Sequence, residues 1–321
     1  MTPAQRLKAF LRYPSITALS QDPAVIDKAL LIQRVYYLIL PYLAYEYVQS
    51  WSSFTRGNFE PLWPLFWADA LSLDGEAMVN IIRLGFLGTS IITLFFWKQR
   101  WARILLFLAL WQAHALESSF GEISRQWAPW LYTSFIFIFL PDLRRAIDQS
   151  EAKRKLLLVV WWAQAFFLLI YTMAGMWKIF AAISQAMQGE VHGFAMHAFS
   201  YQIANWLPLL QNEALFGPFL ITHPLIAWPL YLITQYVQLF ALWAMIRPAL
   251  QKLWAFELVL FHMGTFLIMG ISFNPFIPLL LVLFFDSPFT PKNTTLRQII
   301  FDLPIFGQIL ELLVQSRGKR T

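Results

Sequence analysis

The chain has 321 residues, of which 58% are hydrophobic and only 13% are charged, and its mean hydropathy is +0.54. A soluble protein of this length carries about a quarter of its residues as charged side chains, so the composition excludes a water-soluble fold and predicts a polytopic membrane protein. The net charge is +6 and there is no cysteine, which excludes disulfides, cysteine-ligated metals and a thiolate nucleophile.

The chain begins with an amphipathic pattern over residues 4–12. Leu7, Phe10 and Leu11 fall on one helical face, and three basic residues lie elsewhere on the helix. This pattern predicts an interfacial helix within a cytoplasmic N-terminal segment, residues 1–28. That segment lacks the apolar core of a cleavable signal peptide, so we expect the first span to remain as an anchor.

Apolar stretches then follow along most of the chain. A bilayer-spanning helix needs about 20 mostly apolar residues, so we predict an all-α polytopic integral membrane protein with about eight transmembrane helices in one domain over residues 29–286. The predicted spans are 29–48, 78–97, 101–116, 126–141, 156–179, 224–246, 253–270 and 274–286.

The basic residues are distributed unevenly between the predicted spans. Nineteen of the 24 lie before residue 29, at 98–103, at 144–155, at 247–252 and after residue 286. The positive-inside rule places all of these segments in the cytoplasm, together with both termini and a basic C-terminal tail, residues 287–321. We therefore interpret the charge as a topology signal that also attracts anionic membrane lipids, rather than as nucleic-acid binding. The expected location is the inner membrane of the cell, in a multi-pass arrangement.

A few polar side chains lie inside the predicted spans. An ionisable group there costs at least ~2.5 kcal/mol on insertion scales, so each one needs a partner, a water-filled cavity or a function. The ionisable groups are Arg34, Glu46, Arg83, His114, Glu117, Lys178, Glu257 and His262, and Gln164, Gln235 and Gln238 add neutral polar positions.

The end of the fifth span contains the sharpest cluster. Tyr171, Gly175 and Lys178 are spaced i, i+4 and i+7, which places them on one helical face. The small residues Ala174 and Gly175 allow either close helix packing or the approach of a flat ligand to the amine. Lys178 either snorkels to the interface or acts as a general base. It is the only lysine on the predicted outer side.

The seventh span contains a second group of polar residues. His262 and Thr265 share a face at i, i+3, whereas Glu257 lies about 140° round the helix and is not expected to bond His262. His262 either hydrogen-bonds a carbonyl of a neighbouring helix or takes part in function. A buried guanidinium requires carboxylate acceptors, and we therefore predict a structural ion pair between Arg34 and Glu257.

A metal site is not expected. His192 and His197 are five residues apart, which is not the i, i+4 spacing that places two imidazoles on one metal ion. Phosphate-binding loops, dinucleotide fingerprints and serine-hydrolase motifs are also missing from the sequence.

Four sequence features together show a family resemblance. The run from Tyr171 to Lys178 resembles the Y-x-x-A-G-x-x-K signature of the vitamin K-dependent gamma-carboxylase family and its bacterial relatives, the horizontally transferred transmembrane (HTTM) domain proteins. Arg34, the Pro141-Asp142 pair and Phe261-His262 followed by MGTFLIMGISF resemble further family features in the same order. The similarity covers about residues 29–286.

The resemblance implies that Lys178 is the base that deprotonates a reduced quinone on the outer side of the membrane. It also implies that His262 hydrogen-bonds or positions this quinol, and that Tyr171, Gly175 and Thr265 line its site. The carboxylase continues into a large lumenal domain, whereas about 35 residues of this sequence follow the eighth predicted span. We therefore expect a lipid-soluble quinol as ligand rather than carboxylation of a protein.

Two classes of function remain open on the sequence alone. The first is a quinol- and oxygen-dependent enzyme. The second is a non-enzymatic membrane protein, namely a scaffold, a partner subunit or a lipid-binding protein, in which Lys178 only snorkels. A transporter is less favoured because we find no internal repeat.

Overall fold

The computed structural model describes residues 15–51, 59–121, 126–143, 146–208, 214–273 and 275–318. Within these ranges the regular secondary structure is entirely helical, which confirms the prediction of an all-α chain. The interfacial helix predicted at 4–12 lies outside the described residues.

The described residues contain fifteen α-helices. In chain order they are α1 (Ile16–Leu19), α2 (Pro23–Ser50), α3 (Trp67–Ala70), α4 (Gly75–Phe96), α5 (Arg100–Ser119), α6 (Ala128–Phe137), α7 (Gln149–Met187), α8 (Ala198–Trp206), α9 (Gly217–Thr222), α10 (Pro224–Leu239), α11 (Trp243–Ile246), α12 (Gln251–Met269), α13 (Phe276–Phe284), α14 (Leu296–Asp302) and α15 (Phe306–Gly318). A 3₁₀ turn, Pro248–Leu250, leads into α12.

Three of the described helices are long and apolar enough to cross a membrane. These are α4, α7 and the continuous helix Pro248–Met269 that contains α12. Their length and composition support the prediction of a membrane protein. At 1.5 Å per residue, α7 is roughly 58 Å long, about twice the hydrocarbon thickness of a bilayer.

The chain divides into two compact units, Ser15–Ala163 and a second unit that runs from Gln164 to Thr321. The boundary falls inside α7. In the first unit, aromatic rings of α2 and α6 pack together in the core: Tyr36 stacks on Trp130 with ring centroids 5.0 Å apart. The Tyr36 hydroxyl also lies 2.6 Å from the Ser134 hydroxyl.

Arg103 lies buried in the first turn of α5, in the first unit. Its Nη1 donates to the carbonyl oxygens of Phe137, at 3.0 Å, and Leu140, at 2.8 Å. Phe137 is the last residue of α6 and Leu140 lies three residues beyond it, in the region where a helix end carries partial negative charge. The charge pattern predicts only a topological role for Arg103, whereas in the structure its guanidinium also donates to the last carbonyl of α6.

The second unit packs α8, α9, α10 and α12 around a small apolar core. Ile203, Leu220, Ala227 and Met269 form this core. Gly270 ends α12 in the left-handed conformation, with φ of 67°. Glycine adopts this conformation without a steric penalty, which lets the chain turn back along the helix that it has just left.

The predicted tail region, 287–321, contains α14 and α15 and packs against the end of α10 and α11. The indole nitrogen of Trp243 donates to the carbonyl of Asp302 at 2.9 Å, and the Tyr236 hydroxyl donates to the carbonyl of Pro304 at 2.8 Å. The Arg247 guanidinium lies 3.8 Å from the Asp302 carboxylate. The first part of this region is therefore attached to the second unit.

Candidate functional site

A cavity of about 440 Å³ lies in the second unit, between α7, α8, α10 and α12. This volume is in the range of small-molecule sites, which are typically apolar with a few polar groups. Most of its lining is apolar, and Leu230, Ile233 and Leu260 are exposed side chains, so the cavity reaches the surface of the unit. Its lining also includes the polar side chains Lys178, Gln202, Tyr231, Thr234, Gln235, Glu257 and Thr265.

The position of the cavity depends on the close approach of α7 to α10. A Cβ atom added at Gly175 would lie only 2.7 Å from the backbone nitrogen of Leu239. The Thr172 hydroxyl accepts a hydrogen bond from the Leu242 backbone at 3.0 Å. Of the two uses predicted for the small-residue notch, the structure shows close helix packing at Gly175.

Lys178 lies on α7 just beyond this contact and lines the cavity. Its Nζ donates to the side-chain oxygen of Gln238, on α10, at 2.8 Å. The lysine is half-buried and Gln238 is buried. The amine is therefore held at the cavity wall by one neutral acceptor, and two of the three protons of its ammonium form remain available for other partners.

Gln235 lies one helical turn before Gln238 and also lines the cavity. Its side chain is 6% exposed, and neither its amide oxygen nor its amide nitrogen has a hydrogen-bond partner among the described residues. Buried polar groups are nearly always paired, so an unpaired amide at a cavity wall marks a place where a ligand or water belongs.

Tyr171 and His262 are both buried and lie beside the cavity rather than in its lining. The Tyr171 hydroxyl lies 2.6 Å from His262 Nε2, and which of the two donates depends on the imidazole tautomer. Phe261 and Phe273 line the cavity and contact the imidazole ring, with centroids 5.0 Å and 5.3 Å away. The structure thus brings together Tyr171 and His262, which are 91 positions apart in the sequence.

Thr265 and Glu257 both line the cavity, as part of α12. The Thr265 hydroxyl donates to the Phe261 carbonyl of its own helix at 2.8 Å, so only its oxygen lone pairs face other partners. Arg34 belongs to the first unit, where it lines a separate cavity of about 100 Å³ with Gln33 and Asp142. The ion pair predicted between Arg34 and Glu257 stays a prediction.

Among the described residues, no group of three or more histidine, cysteine, aspartate or glutamate side chains is placed to hold a metal ion. The candidate site therefore consists of an amine, amides, hydroxyls and one carboxylate around an apolar space. Such a set can bind a neutral or weakly acidic organic molecule and move a proton at Lys178.

Comparison with protein-family models, curated proteins and solved structures finds no match to this chain. The resemblance to the carboxylase and HTTM proteins therefore rests on the residues quoted above. The structure adds that Tyr171 and His262, which come from two separate parts of that resemblance, are hydrogen-bonded to each other.

The sequence alone identifies Gln235 and Gln238 only as neutral polar positions within a predicted span. Their i, i+3 spacing indicates that they lie near each other on α10. No pattern in the sequence, however, shows that Gln238 meets Lys178, because the two residues are 60 positions apart.

Proposed function

We propose that the chain is a multi-pass protein of the inner membrane, with about eight spans and both termini in the cytoplasm. The eight predicted spans each overlap a described helix: α2, α4, α5, α6, α7, α10, α12 and α13. The charge distribution favours this orientation. A reporter active only in the cytoplasm, fused after residue 321, should be active, whereas fusion after residue 190 should silence it. The reverse result would contradict the topology.

We infer that this membrane protein binds a lipid-soluble ligand in the cavity of its second unit, and that Lys178 exchanges a proton with that ligand. The observation that carries this inference is the position of Lys178 Nζ. It lines a mostly apolar cavity of about 440 Å³ and bonds the neutral oxygen of Gln238 rather than a carboxylate. A structural lysine in an apolar region is more often paired with an acid.

A reduced quinone fits this site, in agreement with the resemblance to the carboxylase and HTTM family. Its apolar rings match the lining, and its hydroxyl groups match the unpaired amide of Gln235. When bound, it would supply reducing electrons and an acidic hydroxyl to an oxygen-dependent reaction. The exposed apolar residues Leu230, Ile233 and Leu260 offer a route from the hydrocarbon of the bilayer.

In this proposal the neutral amine of Lys178 accepts the hydroxyl proton at Nζ and becomes an ammonium, and the oxygen of Gln238 accepts a hydrogen bond from Nζ in both forms. Tyr171 and His262 support the wall of the cavity through Phe261 and Phe273, and are thus positioning residues. A general base must lie within hydrogen-bond reach of the proton that it removes. In the described residues, Lys178 is the cavity-lining amine.

The test is oxygen consumption by the protein in lipid vesicles supplied with a reduced naphthoquinone, with protein-free vesicles as the baseline. We expect Lys178→Ala to lower the rate at least about 100-fold, the usual contribution of a general base. Lys178→Arg should fail as well, because arginine keeps the charge but cannot be deprotonated. Lys252→Ala, at an exposed lysine of α12, is the matched control and should be unaffected.

An unchanged rate in Lys178→Ala would remove the lysine from the chemistry. A second candidate function is then favoured by the exposed apolar rim: a lipid-binding protein or a scaffold for a partner subunit. That function predicts a co-purified lipid or protein, and no oxygen consumption that depends on quinol.

A further inference from the structure

Gln235 is a buried side chain of the second unit whose amide has no hydrogen-bond partner among the described residues. It is 6% exposed, it lines the cavity, and both its amide oxygen and its amide nitrogen have no partner among the described residues. Other cavity-lining groups differ in this respect. The hydroxyls of Thr234 and Thr265 donate to carbonyls of their own helices, at 2.9 Å and 2.8 Å.

Gln235 lies on the same helix as Gln238, the residue that accepts a hydrogen bond from Lys178. Gln238, which holds the amine, lies three residues later on α10, so the two amides share one side of the helix and are about 5–6 Å apart at Cβ. A polar group bound to Gln235 therefore lies beside the turn of α10 that holds the amine, with the apolar space of the cavity next to it.

The chemistry of the amide restricts what it can recognise. Its oxygen requires a donor and its nitrogen requires an acceptor. A carboxylate only accepts, so it would leave the amide oxygen unpaired, and Glu257 in the same lining also disfavours a second negative charge. A ketone or an ether likewise only accepts. A hydroxyl group is the smallest neutral group that both donates and accepts.

We propose that Gln235 is the specificity-determining residue of the cavity and that it binds the hydroxyl group of a neutral, ring-containing or chain-like apolar ligand. The amide oxygen accepts the hydroxyl hydrogen, and the amide nitrogen donates to the hydroxyl oxygen. The inference rests on the proposed function for the location of the ligand, but it requires neither oxygen nor turnover.

The test compares 1-naphthol with 1-methoxynaphthalene, which has the same rings but cannot donate. Equilibrium dialysis against the protein in nanodiscs, with empty nanodiscs subtracted, gives the two affinities. We expect the wild-type protein to bind 1-naphthol about tenfold or more tightly, because a site built for a hydroxyl rejects the analogue that leaves its polar groups unpaired. A ratio near one would overturn the proposal without any substitution being needed.

Substitutions of Gln235 test whether its amide causes the preference for 1-naphthol over 1-methoxynaphthalene. Gln235→Leu should abolish the preference while it keeps the affinity for 1-methoxynaphthalene, and Gln235→Met serves as a second variant if the leucine variant does not fold. Gln33→Leu, at a buried glutamine of the first unit, is the matched control and should keep the wild-type ratio. A preference that survives in both Gln235 variants would show that the amide binds only water.

Two further outcomes separate this proposal from the function on which it rests. Tighter binding of 1-naphthoate than of 1-naphthol would overturn the hydroxyl assignment and favour anion binding at Lys178. A hydroxyl preference that depends on Gln235, in a protein that consumes no oxygen with a quinol, would support the recognition proposal and contradict the enzyme.

Discussion

Arg103 in the first unit and Lys178 in the second are both cationic side chains surrounded by apolar helices, and their partners differ. Arg103 is 2% exposed, and its Nη1 donates to two backbone carbonyls at and just beyond the end of α6. Lys178 is half-buried, bonds one side-chain oxygen and lines a cavity. The first cation donates to carbonyls at and just beyond a helix end, whereas the second donates to one side chain and borders a cavity.

Two buried glutamines of the second unit repeat this contrast. Gln164 Nε2 donates to the Leu283 carbonyl and, at 3.0 Å, to the Ser287 hydroxyl, and so joins α7 to the end of α13. Gln235 makes no such contact among the described residues and lines the cavity instead. The same residue type therefore connects helices in one place and is available to a ligand in another.

The largest effect that can test this comparison is expected at Arg103. Arg103→Met removes the guanidinium that donates to the buried carbonyls of Phe137 and Leu140, and we expect a loss of roughly 3 kcal/mol in the free energy of unfolding. Lys178→Met, by the same measurement of thermal unfolding in detergent, should lose less than about 1 kcal/mol. Arg100→Met, at an exposed arginine of the same helix, is the control. Equal losses of stability in Arg103→Met and Lys178→Met would contradict the difference between the two cations.

The next largest effect is expected at the contact between α7 and α10. Gly175→Ala places a Cβ 2.7 Å from the Leu239 nitrogen, so the helices must separate, at a cost of about 1–3 kcal/mol in stability. Gly88→Ala, inside α4, meets nothing within 4 Å and should be neutral or slightly stabilising. A shift in the midpoint of thermal unfolding for Gly175→Ala but not for Gly88→Ala supports the close packing. An unchanged midpoint in both variants would show that α7 and α10 are not in contact there.

A smaller effect is expected at the bond between Tyr171 and His262. Tyr171→Phe keeps the ring and removes the hydroxyl, which leaves a buried imidazole nitrogen unpaired and should cost about 1–2 kcal/mol. Tyr42→Phe, at an exposed tyrosine of α2, should change the unfolding midpoint by much less. If both variants unfold at the wild-type temperature, the bond contributes nothing to stability.

Much of the fold could be predicted because it depends on local chemistry. The length and apolar composition of α4, α7 and α12 follow from runs of residues that the sequence displays directly. The i, i+4, i+7 spacing correctly placed Tyr171, Gly175 and Lys178 on one side of α7, and each of them makes a contact to α10 or α12. Helical periodicity fixes such faces before any tertiary contact forms.

The partners of these residues could not be predicted, because they depend on which helices pack together. Gly175 was expected to permit either helix packing or a ligand, and only the position of Leu239 decides between them. Likewise, Arg103 was counted with the residues that orient the protein, although its two acceptors lie 34 and 37 positions away.

The sequence by itself determined that the chain is helical and largely apolar and that a small number of polar side chains lie where water is scarce, because composition and periodicity are properties of the chain alone. Only the tertiary structure decided which of those polar groups are already satisfied. It pairs Tyr171 with His262, bonds Lys178 to Gln238 and leaves the Gln235 amide, at a cavity wall, without a partner in the part of the chain that the structure describes. Hydrogen bonds act over about 3 Å, so their partners depend on how distant segments pack.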